Sequence, residues 1–370
     1  MKICLISNQI ASWGKIGGFG TATRAIGSGI AEKGIEVSAV VPIRANKGQK
    51  QFEVLDGISV HGVSNWKTII SGEIFKHINA DIYHSQEPTI ASYHAIKAVP
   101  EAIHIITCRD PRSFTDHLIE LKHSNLSRKL LSPINTWLYE ASPWVKQAVK
   151  KAKLVFVPAP ECLNNKVKQL YGNSINPNFV PSPVDLPINE VQKSKEPTII
   201  FVGRWDRRKK IEKFFELARN NPQLKFVAIG NSHDDKYDKY LRNNFRNIKN
   251  LEMPGFVPRF GKPGINDYYE KAWIIVNTSA REGLPYTFIE SLAYECAILS
   301  CVNPDDFARR FGYHVKEDDF QEGLDWLLEK GRWRKLGKGG ADYVRGIFSK
   351  ENSINEHMKF YNMLLKEKIR

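Results

Sequence analysis

No apolar run in this 370-residue sequence approaches the roughly 18 to 20 residues needed to cross a bilayer, so no membrane span is expected. The opening stretch Met1 to Ser7 is too short for a secretory signal, which points to a cytoplasmic protein. Cysteine is scarce: Cys4, Cys108, Cys162, Cys296 and Cys301 are scattered, without a CxxC pair or histidines at metal-ligand spacing. Reduced thiols and no bound metal follow as expectations. No fixed-period repeat or low-complexity tract is visible, which argues against a repeat architecture. Nucleic acid is not an expected partner, because there is no zinc-finger spacing, no RNP-like aromatic motif and no basic region followed by heptads.

What is present is ordinary globular material, 42% hydrophobic and 25% charged, enough to build a core. The length exceeds what one compact core usually organises, so two domains are expected. A formal charge of +14 favours an anionic partner, and it is spread along the chain rather than gathered in a tail. The segment Lys122 to Lys153 is locally richer, with seven Lys or Arg against Glu140 alone, and it carries Trp137, Tyr139 and Trp144. It reads either as a face for an anionic membrane surface or as a solvated helix whose tryptophans belong to the core. Pro133 and Pro143 interrupt any single long helix there.

Short β-branched or apolar runs at Ile3–Ser7 and Val37–Val41 flank a helical pattern in which Ala22, Ile26 and Ile30 recur every four residues. That is a βαβ unit. Further strands are expected at Ile58–Val60, Asp81–His84, Ile103–Thr107 and Leu154–Val157, giving a doubly wound parallel sheet. After Pro181 to Pro187 a polar stretch, Asn189 to Pro197, reads as a linker. The pattern then restarts, with strands at Thr198–Val202, Leu224–Ile229, near Leu251, Ile274–Val276 and Ile298–Cys301. Helices are expected around Ile211–Ala218 and from about Thr287. The domains are therefore placed at 1–188 and 189–350, with 351–370 a terminal helix packing back on the first domain. Ligands of such sheets bind beyond the carboxyl ends of the strands.

Three loops at those ends carry chemistry. Gly14-Lys15-Ile16-Gly17-Gly18-Phe19-Gly20 follows the first strand and opens a helix, so Gly17 and Gly18 can let backbone N–H groups approach a phosphate or sugar. The spacing is neither the dinucleotide fingerprint nor a Walker loop. A plain turn is the alternative. Gly203-Arg204 to Lys209 follows the next domain's first strand and can aim a guanidinium fork and an ammonium at one diphosphate. A solvated basic turn is its alternative, and Arg207, Arg208 and Lys210 read as surface charges. The third loop runs from Arg281-Glu282-Gly283-Leu284-Pro285-Tyr286-Thr287 to Glu290 and places Glu282 on a loop and Glu290 in the first helical turn. Carboxylates there accept hydrogen bonds from sugar hydroxyls while the intervening amides receive phosphate oxygens. Alternatively Glu282 pairs with Arg281, and Glu290 only favours the helix N-terminus.

These ordered motifs resemble the retaining glycosyltransferases of family 4. Weaker echoes are Asp81-Ile82-Tyr83-His84, Val184-Asp185 and Gly255-Phe256-Val257-Pro258. The resemblance implies an α/β fold of the GT-B type, with two facing doubly wound Rossmann-like domains and an interdomain cleft. It implies transfer of a hexosyl group, with retention, from a UDP-, GDP- or ADP-linked sugar to a hydroxyl of a glycan or lipid-linked acceptor. No cofactor or metal is implied. Arg204 and Lys209 would neutralise the leaving diphosphate and Glu282 would hold sugar hydroxyls. Glu290 would take the ribose, Gly203 and the segment Gly283, Leu284, Pro285, Tyr286 and Thr287 the sugar and phosphates, and Phe256 and Val257 would border the base. Gly17 and Gly18 would cover the diphosphate, and His84, Arg109 and Asp110 are candidates for sugar or acceptor contacts. The chain departs from the family pattern at Arg109, where histidine is frequent, at Pro285, at Tyr294 to Ala297 and at Lys210, the last two where glycine is common. Other readings are another GT-B enzyme such as a nucleotide-sugar epimerase, or a non-catalytic basic protein that binds nucleotides or nucleic acid.

Overall fold

A computed structural model describes residues 1–13, 17–43, 48–64, 66–123, 141–259, 263–316 and 318–369. They form two compact units: the first from 1–117, 141–184 and 347–369, the second from 118–123 and 185–346. The divisions thus fall at 184/185 and 346/347, where the sequence placed them at 188/189 and 350/351.

The first unit is built on eight strands: β1 (Lys2–Ile6), β2 (Glu36–Pro42), β3 (Phe52–Leu55), β4 (Ile58–Val63), β5 (Ile82–Ser85), β6 (Ile103–Thr107), β7 (Leu154–Val157) and β8 (Asn178–Phe179). Their order is β3-β4-β2-β1-β5-β6-β7-β8, and every pairing is parallel except β3 with β4. The central strands are buried along their length, as expected for strands covered by helices on both faces. Sequence reading missed β3 and β8, one an exposed edge and the other two residues long.

Helix α1 (Gly18–Ala31) buries Ala22, Ile26 and Ile30 at the expected spacing. Gly29 removes the side chain where Ile354 of the terminal helix packs, since a Cβ there would lie 2.5 Å from Ile354 Cγ1. The second unit repeats the architecture with β9 (Thr198–Val202), β10 (Lys225–Ile229), β11 (Leu251–Gly255), β12 (Ile274–Asn277), β13 (Ala297–Ser300) and β14 (Gly312–His314). All pairings are parallel in the order β11-β10-β9-β12-β13-β14. The short β14 was not foreseen. The second unit's core joins Ile199, Phe201, Phe214, Phe226, Ile274 and Leu299, each nearly or fully buried. Each such side chain contributes on the order of 1.5–3 kcal/mol.

Helices α2 (Ile211–Asn220), α3 (Ile265–Lys271) and α4 (Tyr286–Ala293) flank this sheet. The stretch read as a linker is docked rather than free. Lys193 donates to the carbonyls of Tyr269 (3.1 Å), Ala272 and Tyr294, placing its ammonium at the negative ends of α3 and α4. At the turn after α4, Glu295 adopts a left-handed φ of 58°, which is why glycine suits that position.

The terminal helix α5 (Lys350–Ile369) belongs to the first unit and buries Ile354, His357, Tyr361 and Leu364. Of the basic aromatic segment, 124–140 lie outside the described residues. In the described remainder Trp144 is 44% exposed, so the reading that put this tryptophan in the core is corrected; Val145, Ala148 and Val149 turn inward instead. No helix among the described residues is long and apolar enough to cross a membrane.

Candidate active site

In the second sheet the chain starts at β9, steps through β10 to β11, and then returns to the other side of β9 with β12. This strand order reverses between β9 and β12, the position at which doubly wound sheets bind ligands beyond their carboxyl ends. The loops leaving these two strands are 203–210 and 278–285, the two segments singled out from sequence. The strands are adjacent, pairing Ile274 with Ile199, so residues some 73 positions apart meet.

The backbone of the first loop makes the approach tight. Gly203 adopts a φ of 155°, and a Cβ on Gly230 would fall 1.9 Å from Gly203 O. Arg207–Lys209 form a 3-10 turn that ends on Lys210 in the left-handed region at φ 47°. That conformation explains why glycine is common at position 210. Hydrogen bonds then stitch the loops together: Ala280 N donates to Arg208 O (2.9 Å), Thr278 Oγ1 to Lys209 O, and Arg208 Nη1 to Arg281 O (2.8 Å).

Glu282 is held in this seam. Its Oε1 takes the Lys209 ammonium, and Arg208 Nη1 stands 3.9 Å from Oε2. Burial alone would raise the Glu282 pKa, but Lys209 and then Arg208 outweigh it and bring the carboxyl down to about 2. Lys209 has two further N–H donors for an anion. Arg281 is not the partner of Glu282; it pairs with Glu120 at 2.6 Å. The expectation that Arg208 is a surface charge is corrected, since it bridges both loops. Arg207 instead lies over the Tyr237 ring at 4.2 Å. Arg204 is the more open cation, 41% exposed and 3.2 Å from Asp206.

Helix α4 starts at Tyr286, with Pro285 as its N-cap, so Glu290 sits in the second turn rather than the first. Pro285 makes no side-chain cap hydrogen bond and contributes no N–H; the amides of Tyr286 and Thr287 face the start of the helix. Gly283 and Pro285 are buried, Leu284, Tyr286 and Thr287 half-buried. Glu290 is not merely a helix-terminus charge: it accepts from Arg259 and from Tyr269 Oη at 3.1 Å. Neither partner was foreseen, although Arg259 stands directly after the Gly255–Pro258 run. Phe256 is 51% exposed and Val257 half-buried on that run. A separate cavity of about 520 Å³ lies at the opposite end of the strands, lined by Thr198, Lys225 and Glu252, and none of these loops forms it.

In the first unit Gly17, which has no side chain to act as a cap, and Gly18 start α1; residues 14–16 of that loop lie outside the described residues. His84 is not offered to a ligand. It is fully buried, with Nδ1 2.6 Å from Tyr361 Oη and Nε2 2.7 Å from Thr107 Oγ1, and burial, His357 and Arg109 depress its pKa. Arg109 is 5% exposed and donates to Ser182 Oγ and Gln86 Oε1, both at 2.7 Å, while Asp110 is half-buried. No group of three or more His, Cys, Asp or Glu among the described residues is placed to hold a metal ion.

Residues 186–338 match the family model described as glycosyl transferases group 1, which spans the second unit and its loops. Solved structures match along nearly the whole chain. Sucrose-phosphate synthase from Thermosynechococcus elongatus superposes with a TM-score of 0.76 at 15% identity, covering 99% of this chain and 100% of that one. The fold is GT-B. Anabaena HepE in complex with UDP gives 0.70 at 12% identity over 98% and 100% of the two chains. The pneumococcal O-GlcNAc transferase GtfA in complex with UDP and GlcNAc gives 0.70 at 10% over 98% and 99%. No curated protein sequence matches this chain. At these identities the structural likeness establishes the GT-B architecture, two Rossmann-like α/β units with parallel sheets.

Proposed function

We propose that this GT-B protein is a glycosyltransferase of the family 4 type, moving a hexosyl group from a nucleoside diphosphate sugar to a hydroxyl with retention at the anomeric carbon. The observation that carries this reading is the meeting of Arg208, Lys209 and Glu282 at the switch point between β9 and β12, with Arg204 on the same loop as the two cations and the α4 N-terminus directly after Glu282 in the chain. Three cations and a helix N-terminus suit a leaving diphosphate, and a carboxylate kept ionised beside them suits sugar hydroxyls. The group 1 match over the same residues supports it, as do fold relatives solved with UDP or with UDP and a sugar.

The chemistry asked of the protein is electrostatic. As the bond from anomeric carbon to phosphate breaks, negative charge grows on the departing diphosphate; Arg204 and Lys209 receive it without reorganising solvent. The departing phosphate oxygen takes the acceptor proton, so no protein nucleophile is required, and Glu282 orients the sugar. The exposed Phe256 ring and Val257 border the base, and the α1 terminus at Gly17–Gly18 offers amides to a phosphate or sugar. We assign a glycan or lipid-linked sugar as acceptor, an anionic membrane surface as the place where a lipid-linked one would be met, and no cofactor.

Transfer or donor hydrolysis screened over UDP-, GDP- and ADP-sugars tests the reading. Arg204→Ala should lower turnover about a hundredfold, the scale of one lost transition-state contact of about 3 kcal/mol. Activity with none of these donors, or an Arg204→Ala protein with normal turnover, would overturn it.

A further inference from the structure

Residues 118–123 are grouped apart from their neighbours in sequence: they belong to the second unit, whereas 1–117 and 141–184 form part of the first. They are the end of a helix, Phe114–Lys122, and the turn that follows it. Apolar burial in this segment is slight, since Leu118 is exposed and Ile119 and Leu121 are only half-buried. What it brings to the second unit is a carboxylate. Glu120 Oε1 accepts from Arg281 Nη1 at 2.6 Å, across 161 positions of sequence. Burial, Lys210 and Lys122 lower the pKa of His123, so the segment lies near the 203–210 loop as well.

Arg281 is 4% exposed and directly precedes Glu282 in the chain. A guanidinium buried to that degree needs an acid beside it. Were it to take Glu282, that carboxylate would be less free to accept from a ligand hydroxyl. Glu120 takes the guanidinium instead and leaves Glu282 to Lys209 and Arg208. The backbone is pinned at the same place: Arg281 O accepts from Arg208 Nη1 at 2.8 Å, and Ala280 N donates to Arg208 O at 2.9 Å. Arg281 is thus held both by its side chain and by its carbonyl, and the direction in which the next residue, Glu282, leaves the chain follows from both.

We infer that Glu120 is a positioning residue of the donor site: by holding Arg281 it keeps that guanidinium off Glu282 and fixes the 278–285 loop, so that Glu282 faces the sugar. The inference rests on the nucleotide-sugar reading above and adds to the site a residue from outside its loops. Glu120 acts through Arg281 and not on the ligand. Its removal loosens the orientation of the sugar and leaves in place the cations that meet the diphosphate.

The test compares the wild-type chain with Glu120→Gln, Glu120→Asp, Arg281→Met and the Glu120→Gln/Arg281→Met double variant. Three quantities are measured: turnover of UDP-, GDP- and ADP-glucose, calorimetric binding of UDP, GDP and ADP, and hydrogen exchange across 278–285, which requires no donor. Glu120→Gln should lower kcat about tenfold, the scale of one hydrogen bond to a charged group, and speed exchange in the loop. Affinity for the nucleoside diphosphate should stay within about twofold, because the cations are untouched. Glu120→Asp, which keeps the charge, should recover part of the rate. In the Arg281→Met background Glu120→Gln should add no further loss, because the group it acts through is gone. Should Glu120→Gln fail to fold, Glu120→Asp decides by a smaller fall in kcat and faster loop exchange. A folded Glu120 variant with wild-type kcat and wild-type exchange overturns the positioning role. So does a loss that persists at full size in the Arg281→Met background, or one matched by an equal loss of diphosphate affinity, and each of these leaves the nucleotide reading standing. A wild-type chain that neither turns over a donor nor binds a nucleoside diphosphate overturns the parent reading and this inference with it.

Discussion

Replacing Lys209 by Met removes the closest cation from Glu282 and keeps the length of the side chain. Glu282 is nearly buried, and Arg208 at 3.9 Å would be its remaining cation in the seam. The carboxyl titrates at about 2 against an ordinary 4.5, and that depression is worth about 3 kcal/mol of stability at neutral pH. Because the folded pKa is the lower one, the contribution is complete above pH 4.5 and is lost as pH falls from there through 2. Lys209→Met should therefore destabilise the second unit by about 2–3 kcal/mol at pH 7, less than the full depression because Arg208 stays. The gap from wild type should narrow to about 2 kcal/mol or less at pH 3.5. Urea unfolding at the two pH values, followed on the second unit by hydrogen exchange of β9 and β12, measures both numbers. Turnover should fall about a hundredfold in the same variant. A loss below about 0.5 kcal/mol, or a gap that widens on acidification, would refute the claim that Lys209 is what keeps Glu282 ionised.

His357 is buried in the first unit; burial and Arg109 pull its pKa down to about 4 from 6.5, against the hydrogen bond to Ser353 O. Its stabilising neutral state is fully present above pH 6.5 and lost as pH falls towards 4, about 3 kcal/mol in all, so His357→Gln should flatten that limb of the stability profile. An unchanged limb would place the acid sensitivity elsewhere. Tyr361→Phe leaves His84 Nδ1 without its 2.6 Å partner and should cost about 1–3 kcal/mol, read as a lower urea midpoint of the first unit. Gly29→Leu drives a side chain into Ile354 of α5 and should cost about 1–3 kcal/mol, with early exchange of the α5 amides; full protection there would contradict the packing.

The sequence alone was enough for the interior strands and for the loops that follow them. Ile103–Thr107 and Ile274–Val276 are short β-branched runs because both faces of a parallel strand are covered, and that requirement is written locally in residue type. The Gly203–Lys209 and Glu282–Glu290 segments were legible for the same reason, as polar residues placed just past such runs. The edge strands β3, β8 and β14 were not, since an exposed edge or a two- or three-residue strand carries almost no pattern. Nor could sequence choose partners. It left Glu282 between Arg281 and a ligand, Arg208 on the surface and His84 facing a sugar. The fold instead assigned Lys209 and Arg208 to Glu282, Arg259 and Tyr269 to Glu290, and Tyr361, 277 positions away, to His84. Residue type and local spacing determine which segments become strand, turn and helix, because those propensities act over a few neighbours. Which charges meet is decided by strand order and helix docking, because an ion pair depends on distance in space and the chain between its members says nothing of it.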